Sequence, residues 1–591
     1  MAAPVMNHAV GRPRRSAPTK MTRRVTAAAI GLIALCTIVR GQAQSSSQRT
    51  AEPTRGTISG KVVNENGQPM AGASAFVRAV NSGSGRTTST DADGNFQVNN
   101  LEPALYIVNA NAPAYTSVPS DPSAPTYYRI GDSVNLQLMR GGVITGSVTN
   151  SSGEPLVAVR VRATMTRDTK GKSTRLPYVY SMEQSTDDRG IYRIYGLAPG
   201  NYLVSAGGYG SQAFQFNPYD SDVPTYAPSS TRDDAAEVNV SAGEETSVDI
   251  RYRGEQGHSI SGTVKVAGTN GSSVSLLPAG TLPMPATNTF QEPGARGFAF
   301  NGVSDGEYVL IAEEFAQTGI SPMMTVSEPK RVVVKGANVS GVELTPMPLA
   351  SISGRFVLQA SKLTECEGKR PPLLSETLVQ LKRPDVDPEK DGPALRRSYA
   401  TSGSPDANGA FTMRNVSPGK YQFEPRFYAR YWYLQSITLG AAPASGPRSQ
   451  TSRASDAAAN WTTVKSGDQL NNLTITLAEG AASMRGKTTA DPPVSATLFL
   501  VPAEPDKADD VLRFFVTEIA ADGTFALNNL PPGRYWWVTQ TNPDAQLAKL
   551  TKLREPEAAT ARTKLRRSAE TQKTEIDLKP CQNLTDYQLK R

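Results

Sequence analysis

One stretch of this sequence is spelled like the nucleophile motif of a serine hydrolase. Residues Gly302–Gly306 read G-V-S-D-G. The serine of that motif needs a base, normally a histidine that comes later in the chain. Both histidines of this sequence, His8 and His258, precede the motif. A related stretch, Val416–Gly419, reads V-S-P-G, which is typical of a turn. We therefore predict a hairpin turn at Gly302–Gly306 and no catalytic residues.

Metal chemistry has few candidate ligands in this chain. A catalytic zinc takes about three protein ligands, usually with histidine among them, and the sequence has 2 His and 3 Cys. Asp91–Asn95 spells the start of a calcium loop, and Glu102 falls at its twelfth position. The intervening Phe96–Leu101 alternates like a strand, which favours a turn over a calcium site. We predict no metal and no cofactor.

Two cysteines follow the N-terminal region, Cys366 and Cys581. In an exported protein, cysteines of this kind can form a disulfide. We predict a bridge between these two residues within one chain. Two free thiols, or a bond between two chains, are the alternatives.

Clustered aromatic residues are the remaining candidates for binding. Phe427–Tyr433 places rings on both faces of a predicted strand, which is more than one core face needs, and Trp536 and Trp537 also point to opposite faces. Exposed tryptophan and tyrosine rings stack on sugars. We predict that Tyr431, Trp432, Trp536 and Trp537 bind a ligand. The alternative is that these rings fill an interface between modules or lie under the insertions.

These residues belong to a repeated strand–turn–strand unit. Asp187–Ala206 reads DDRGIYRIYGLAPGNYLVSA, in which an Asp-Asp-Arg-Gly turn and a Leu-Ala-Pro-Gly turn flank alternating residues. We interpret the unit as a β-hairpin. Four further copies occur at 91–110, 296–312, 406–425 and 521–539.

A second signature precedes each copy: a short strand, a glycine and another short strand. Its first instance is Ile58–Val62, I-S-G-K-V. The five marker glycines are Gly60, Gly146, Gly262, Gly354 and Gly486. They stand 86 to 132 residues apart, which is the size of a domain rather than of a solenoid turn.

Aromatic residues recur at two equivalent positions of the unit, and five copies of one catalytic residue in one chain would be improbable. We therefore predict that both positions are core positions. The first is occupied by Phe96, Tyr192, Phe298, Phe411 and Phe525, and the second by Tyr106, Tyr202, Tyr308, Tyr421 and Tyr535.

The sequence predicts an all-β protein of five tandem immunoglobulin-like or prealbumin-like antiparallel β-sandwich modules. Surface insertions are predicted at 385–397 and 441–460, and a short helical insertion at 543–571 in the last module. The last strand of the fifth module is predicted at Thr574–Leu578. The predicted ranges are 55–140, 141–253, 254–347, 348–480 and 481–580, followed by a tail at 581–591.

Net charge gives little support for nucleic-acid binding. The formal charge is +8 at pH 7, but residues 1–43 carry seven positive groups and no acid. The remaining chain is close to neutral, so no basic field for phosphates is expected.

The N-terminal 43 residues are predicted to be an export signal. Arg23 and Arg24 precede an apolar run, Val25–Val39, and small residues at Gly41–Ala43 suit cleavage after Ala43. The apolar run is too short to span a bilayer, which takes about 20 residues. Met21 is an alternative start. Lipidation at Cys36 is disfavoured because bulky Leu35 precedes it.

The I-S-G-K-V strand, the D-x-x-G-x-F turn and the L-x-P-G-x-Y turn together resemble the carboxypeptidase regulatory-like domain, a transthyretin-like or prealbumin-like β-sandwich related to Cna B-type surface modules. The arrangement is similar to that of multi-module exported proteins of acidobacteria. The resemblance implies an accessory or binding domain, in a superfamily that includes starch-binding modules.

Cna B-type modules often carry a Lys–Asn isopeptide bond, which an acid on the strand after L-x-P-G-x-Y promotes. Ala110, Ala206, Ala312 and Pro425 stand at that position here. We therefore predict no isopeptide bond.

Taken together, the residues and the resemblance predict a non-catalytic exported scaffold or interaction protein, periplasmic or on the cell surface. Its expected partner is an envelope protein or a polysaccharide, not nucleic acid. The alternatives are a carbohydrate-binding protein that uses the aromatics of modules 4 and 5, and an accessory chain of a separate envelope enzyme.

Overall fold

The computed structural model describes residues 55–117, 126–171, 181–208, 218–265, 270–279, 287–292, 294–315, 324–384, 403–440, 454–488, 496–541, 551–572 and 574–589. The predicted export signal lies outside these residues, as do the predicted insertion 385–397 and parts of the insertions 441–460 and 543–571.

Segments 1 to 3 are defined as residues 55–140, 141–253 and 254–347. Segment 1 contains β1 (Gly56–Val63), β2 (Ser74–Ala79), β3 (Gly85–Ser89), β4 (Asn95–Leu101), β5 (Tyr106–Asn111), β6 (Tyr115–Ser117) and β7 (Ser133–Arg140). Segment 2 contains β8 (Gly142–Thr149), β9 (Arg160–Asp168), β10 (Ser181–Ser185), β11 (Ile191–Leu197), β12 (Gly200–Ala206), a 3-10 turn (Pro218–Ser221), β13 (Thr225–Tyr226), β14 (Val238–Val240), β15 (Glu245–Ser247) and β16 (Ile250–Arg251). Segment 3 contains β17 (His258–Val264), β18 (Gly271–Pro278), β19 (Thr287–Gln291), β20 (Gly297–Val303), β21 (Gly306–Phe315), β22 (Met324–Ser327), β23 (Lys330–Val334), β24 (Val339–Leu344) and β25 (Pro346–Pro348).

Segments 4 and 5 are defined as residues 348–480 and 481–589. Segment 4 contains β26 (Ala350–Gln359), 3-10 turns at Thr364–Cys366 and Leu374–Glu376, β27 (Leu378–Lys382), β28 (Ala410–Val416), β29 (Gly419–Arg426), β30 (Trp432–Leu439), β31 (Ser455–Asp456), β32 (Thr462–Val464) and β33 (Gln469–Glu479). Segment 5 contains β34 (Ala482–Thr488), β35 (Ala496–Pro502), 3-10 turns at Pro505–Lys507 and Val511–Arg513, β36 (Phe515–Ile519), β37 (Thr524–Leu530), β38 (Gly533–Thr541), 3-10 turns at Thr551–Arg554 and Pro556–Ala558, helix α1 (Ala559–Gln572), β39 (Glu575–Leu578) and β40 (Asn583–Leu589).

Each segment consists of two sheets. In segment 1 the sheet orders are β4-β1-β7-β6 and β3-β2-β5, and in segment 5 they are β37-β34-β40 and β36-β35-β38-β39. Inward-facing apolar residues alternate with outward polar ones along these strands, as in β4 and β37. The structure confirms the all-β class with a short helix in the last part of the chain. The number and the boundaries of the modules remain predictions.

The repeated strand–turn–strand unit is not a hairpin. Its first strand pairs with the opening strand of the segment, and its second strand lies in the other sheet, as β4 and β5 do. We call this unit an arch. Its turn carries the chain from one sheet to the other, and a buried tyrosine closes it. The tyrosine hydroxyl donates to the carbonyl oxygen four residues earlier, at 2.7 Å in Tyr202 and 2.8 Å in Tyr535.

The structure corrects three further predictions. Each marker glycine lies inside one continuous strand, such as β1, rather than between two. The opening strand pairs in parallel with a later strand, for example β1 with β7, so the sandwiches are not purely antiparallel. In segment 5 that parallel partner is β40, which lies in the predicted tail, whereas β39 belongs to the other sheet.

The marker glycines are needed for close approach. A Cβ atom at Gly60 would lie 2.2 Å from the Val134 carbonyl oxygen and 2.6 Å from the Phe96 ring. At Gly486 it would lie 1.9 Å from the Tyr587 carbonyl oxygen. Any side chain there would push the two parallel strands apart.

The predicted aromatic core positions are confirmed as buried. Segments 1, 2 and 3 each have a cluster of buried apolar side chains drawn from their own strands. The cluster of segment 4 also contains Val511 and Leu512 of segment 5. No helix in the described residues is long and apolar enough to cross a membrane.

Candidate functional site

The stretch Gly302–Gly306, which resembles a serine-hydrolase motif, contains a structural turn. Ser304 lies in the turn between β20 and β21, and its hydroxyl oxygen is 2.7 Å from that of Tyr308, the tyrosine that closes this arch. His258 Nε2 lies 3.3 Å from Asp305 Oδ1 at the surface. Serine and histidine are therefore bound to different partners.

Asp91–Asn95, which is spelled like the start of a calcium loop, forms the predicted turn. Asp91 Oδ1 accepts the backbone N–H groups of Asp93 at 3.0 Å and Asn95 at 2.8 Å. The hydrogen bond from the Asn95 backbone is the main reason why the pKa of the Asp91 carboxyl lies below its ordinary value. Asp187 and Asp406 accept the corresponding backbone N–H groups in segments 2 and 4. In segments 1, 2 and 4 the carboxylate thus fixes the turn that leads into the arch.

Two of the predicted ligand-binding aromatics are buried, which contradicts their prediction. Trp432 is 2% exposed within the cluster of segment 4, and Trp537 is 6% exposed within that of segment 5. A sugar ring needs an open aromatic face, and neither residue offers one. The alternative interpretation, that these rings serve packing and interfaces, fits their positions.

The other two aromatics, Trp536 and Tyr431, are partly buried, and each contacts a cationic side chain. The Arg566 guanidinium of α1 lies 5.1 Å from the centroid of Trp536, and Lys369 Nζ lies 4.7 Å from the ring centroid of Tyr431. The Arg566 contact joins the helical insertion to β38, and the Lys369 contact joins the loop after a 3-10 turn to the residue that precedes β30. The sequence identified the aromatic excess, but it did not show that the helical insertion covers Trp536.

Cys366 and Cys581 are bonded in the structure, with an S–S distance of 2.04 Å and a Cα–Cα distance of 5.4 Å. Both residues are buried. Cys366 ends a 3-10 turn of segment 4, and Cys581 lies between β39 and β40 of segment 5. The bond therefore joins two segments across 215 residues of chain.

Further contacts join segments 4 and 5. Leu512 enters the cluster of segment 4, and Lys382 Nζ lies 3.1 Å from Glu555 Oε1. Trp461 Nε1 donates to the Glu557 carboxylate at 2.9 Å. Glu555 and Glu557 lie in the helical insertion of segment 5, which has no counterpart in the other segments, so the repeat could not predict their partners.

A recurrent joint connects consecutive segments. Near its end, the first strand of each arch has a β-bulge against the opening strand. We call the residue at this bulge the bulge residue. This residue has a left-handed backbone conformation in every segment, with φ between 58° and 76°. Glycine and asparagine occupy the position in all five segments, and these are the residue types that this conformation favours. The bulge residues are Asn100, Gly196, Gly302, Asn415 and Asn529.

In segments 3 to 5 the bulge residue meets the stretch that follows the arch of the preceding segment and that includes the first residue of the next strand. We call this stretch the post-arch loop. Met324 N–H donates to Asn415 Oδ1 at 3.1 Å. Asn529 Nδ2 donates to the carbonyl oxygens of Ala429 and Trp432, each at 2.7 Å. The joint is thus built on backbone groups of the loop and recurs between different segments.

At glycine bulges the contact is tighter. A Cβ atom at Gly302 would lie 2.6 Å from the Asp222 carbonyl oxygen, in the post-arch loop of segment 2. Gly141, at the start of segment 2, packs directly on Gly196 and donates its N–H to Ala114 of the segment 1 loop at 2.9 Å.

Segment 1 also contacts segment 4, although these segments are far apart in sequence. Gln380 Nε2 donates to the Tyr127 hydroxyl at 2.6 Å. The Arg129 guanidinium lies 4.8 Å from the ring centroid of Tyr428 and 3.8 Å from Glu376 Oε2. No motif or repeat in the sequence predicted this contact.

The outer face of segment 1 has a polar hollow of about 480 Å³. Lys61, Asn95, Asn135 and Ser133 are among its lining residues. Charged, amide and hydroxyl side chains line the hollow together with the ring of Phe96, which is buried.

Comparisons with known proteins support the resemblance seen in the sequence. Residues 57–125 match the model of the carboxypeptidase regulatory-like domain. No curated protein matches the chain significantly.

Among solved structures, the Bacillus anthracis TIE protein is 13% identical over 49% of this chain, with a TM-score of 0.14, and the matched part is 50% of that protein. The minor pilin GBS52 of Streptococcus agalactiae is 12% identical over 34% of this chain and 96% of its own, with a TM-score of 0.19. The shaft pilin SpaA from Lactobacillus rhamnosus GG is 10% identical over 34% and 98%, with a TM-score of 0.16. TM-scores this low carry no argument about arrangement or role. The chain is a multi-module all-β protein in which residues 57–125 match the carboxypeptidase regulatory-like domain.

Proposed function

We propose that this chain is a non-catalytic, exported structural or interaction protein of the cell envelope. The observation that carries the proposal is the recurrent joint. In segments 3 to 5 the bulge residue itself contacts the preceding segment, and in segment 2 this contact is made by Gly141, which packs on the bulge residue. A construction that repeats one attachment through the chain suits a protein that holds surfaces in fixed positions.

Other features support the same role. The arch tyrosines and the turn aspartates serve the fold, and the disulfide reinforces one joint. The bond between Cys366 and Cys581 suits an oxidising compartment, as the predicted export signal does. Periplasmic and surface locations fit equally well.

Photo-cross-linking in the producing cells tests the proposed function. A photoreactive residue is placed at one exposed position in each of three segments, for example Tyr195, Val333 and Arg567, with buried Trp432 as the control. The expected result is a reproducible protein adduct from at least one exposed position and none from Trp432. Absence of protein adducts from every exposed position would overturn the proposal.

Accessibility to protease on intact cells then separates the two locations. Cleavage of the chain without lysis indicates the surface, and protection until the outer envelope is opened indicates the periplasm.

A further inference from the structure

Segment 1 and segment 4 meet through side chains that lie outside both apolar clusters. Gln380 Nε2 donates to the Tyr127 hydroxyl at 2.6 Å, and the Arg129 guanidinium lies 4.8 Å from the ring centroid of Tyr428. Among the described residues, no side chain of either segment belongs to the cluster of the other. The two segments can therefore separate without opening a core, unlike segments 4 and 5, where Leu512 enters the neighbouring cluster.

Glu376 is a buried ionisable group in this contact. Its side chain is 3% exposed, and its Oε2 atom has no hydrogen-bond partner among the described residues. Arg129 of segment 1 and Arg370 of segment 4 each lie 3.8 Å from the carboxylate, which is beyond hydrogen-bond distance. A charged carboxylate in this place is therefore removed from water without the hydrogen bonds that would compensate for the loss.

The charged and titratable groups around Glu376 come from both segments. Burial is the largest cause of the raised pKa of Glu376, Arg129 and Arg370 oppose it, and Asp132 of segment 1 adds to it by repulsion. Burial also raises the pKa of the Tyr428 hydroxyl above its ordinary value, so this group stays neutral. The net effect of these surroundings is to favour the protonated form of Glu376.

We propose that segments 1 and 4 form a proton-controlled clasp, made by Tyr127, Arg129, Glu376, Gln380 and Tyr428. Segment 1 covers Glu376 when the clasp is closed. A protonated Glu376 favours this closed state, and a charged Glu376 favours an open state in which both segments remain folded. The inference goes beyond the proposed function, because it concerns the conformation of the chain itself.

The direction of the pH effect follows from the linkage between proton binding and closure. In the open state the carboxyl of Glu376 is in water and titrates near its ordinary pKa of 4.5, whereas in the closed state its pKa is higher. The closed state is therefore most favoured below pH 4.5, and it loses this advantage as the pH rises through the closed-state pKa. Because one proton is involved, the ratio of open to closed chains rises by at most about tenfold per pH unit in this range.

Double electron–electron resonance on the full-length chain, with its native disulfide intact, tests the clasp. Spin-labelled amino acids are introduced at two exposed positions, Glu102 of segment 1 and Leu363 of segment 4. We expect one distance between the labels at pH 4.5 and a second, longer distance that grows as the pH is raised to 7. The matched control is a label pair at Leu363 and exposed Lys579, across the joint that the disulfide holds, and it should keep one distance throughout.

Glu376→Gln separates the effect of the proton from other effects of pH. The amide of this variant stays neutral, so its labels should show the closed distance alone at pH 7, as the wild type does at pH 4.5. Exposed Glu367→Gln should behave like the wild type. The circular dichroism spectrum should not change over the same pH range, because both segments remain folded.

Several outcomes would overturn the clasp: a label distance that does not change with pH, a longer distance that appears as the pH is lowered, opening of Glu376→Gln at pH 7, or opening that is accompanied by loss of the β-sheet signal. If Glu376→Gln does not fold, the pH series of the wild type decides alone. None of these outcomes touches the proposed function, which the photo-cross-linking experiment tests independently of the clasp.

Discussion

The joint between segments 4 and 5 differs from the joint between segments 2 and 3 in what surrounds the same backbone contact. At the joint of segments 2 and 3, Gly302 packs on the carbonyl groups of Ser221 and Asp222. At the joint of segments 4 and 5, the contact of Asn529 is accompanied by Leu512 in the neighbouring core and by a disulfide. One attachment thus supports either a simple contact between two bodies or a pair of segments that share a core. We expect segments 4 and 5 to unfold in one transition, and segments 2 and 3 to unfold in separate transitions.

Intrinsic fluorescence can separate these regions. All four tryptophans, at positions 432, 461, 536 and 537, lie in segments 4 and 5. Tryptophan emission therefore follows the pair of segments 4 and 5, and circular dichroism follows all segments.

The largest expected effect is that of removing the disulfide. Replacing Cys366 and Cys581 by serine releases a closed loop of 215 residues. In the chain-entropy description this lowers the free energy of unfolding by about 5 kcal/mol. The change should appear in denaturant titrations followed by tryptophan emission. An equal loss of stability in the part of the circular dichroism transition that tryptophan emission does not follow would contradict a bond that acts on one joint.

The next effect concerns the shared core. Leu512→Ala should cost about 3 kcal/mol and split the unfolding of segments 4 and 5 into two calorimetric transitions, because the side chain belongs to the cluster of the other segment. The control is Leu527→Ala, which removes an equally buried leucine from segment 5's own cluster. It should lower stability without splitting the transition. A single transition in both variants would show that Leu512 does not couple the segments.

A smaller effect separates the glycine bulges. Asn adopts the backbone conformation of both Gly302 and Gly196, but a Cβ atom would lie 2.6 Å from a carbonyl oxygen at Gly302, and 3.9 Å from Met182 at Gly196. Gly302→Asn should therefore cost about 1–3 kcal/mol, whereas Gly196→Asn should be nearly neutral. Thermal unfolding followed by circular dichroism measures both, and tryptophan emission should change in neither. Equal costs would mean that joint packing does not matter at Gly302.

The sequence predicted the strands and turns better than it predicted their partners. Alternation in Asp187–Ala206 identified two strands and a turn, because those are local properties. It did not show that β11 and β12 lie in different sheets, since pairing depends on the opening strand about fifty residues earlier. The marker glycines were found by repetition, but their reason is a carbonyl oxygen from a distant strand.

The candidate site shows the same limit. The pairing of Cys366 with Cys581 could be predicted from the sequence, because these are the two cysteines that follow the N-terminal region. The burial of Trp432 could not be predicted, because side chains from segment 5 complete the core to which it belongs. The joint itself left a sequence signal, the glycine or asparagine before the apolar residue that ends each first arch strand, which becomes readable once the five copies are aligned.

The contact between segments 1 and 4 is a third kind of connection, and its expected effect is the smallest. Glu376 is 3% exposed, and its carboxylate lies 3.8 Å from both Arg129 and Arg370, with Asp132 nearby. Burial raises the pKa of this carboxyl above its ordinary 4.5, because desolvation outweighs the attraction to the two arginines. A raised pKa in the folded state means that the stabilising contribution of this group is complete below about pH 4.5 and is lost as the pH rises through the folded-state pKa.

Glu376→Gln removes this titration. Relative to the wild type, the variant should gain stability as the pH is raised from 4.5 to 7, and the gain should appear in tryptophan emission if segment 1 is attached to the pair of segments 4 and 5. Exposed Glu367→Gln is the control and should show no such trend. If the wild type instead becomes more stable relative to the variant as the pH rises, the attraction of the carboxylate to Arg129 and Arg370 outweighs the cost of its burial. In that case ion pairs would hold the contact, and added salt would weaken it. A contact dominated by burial should depend little on salt.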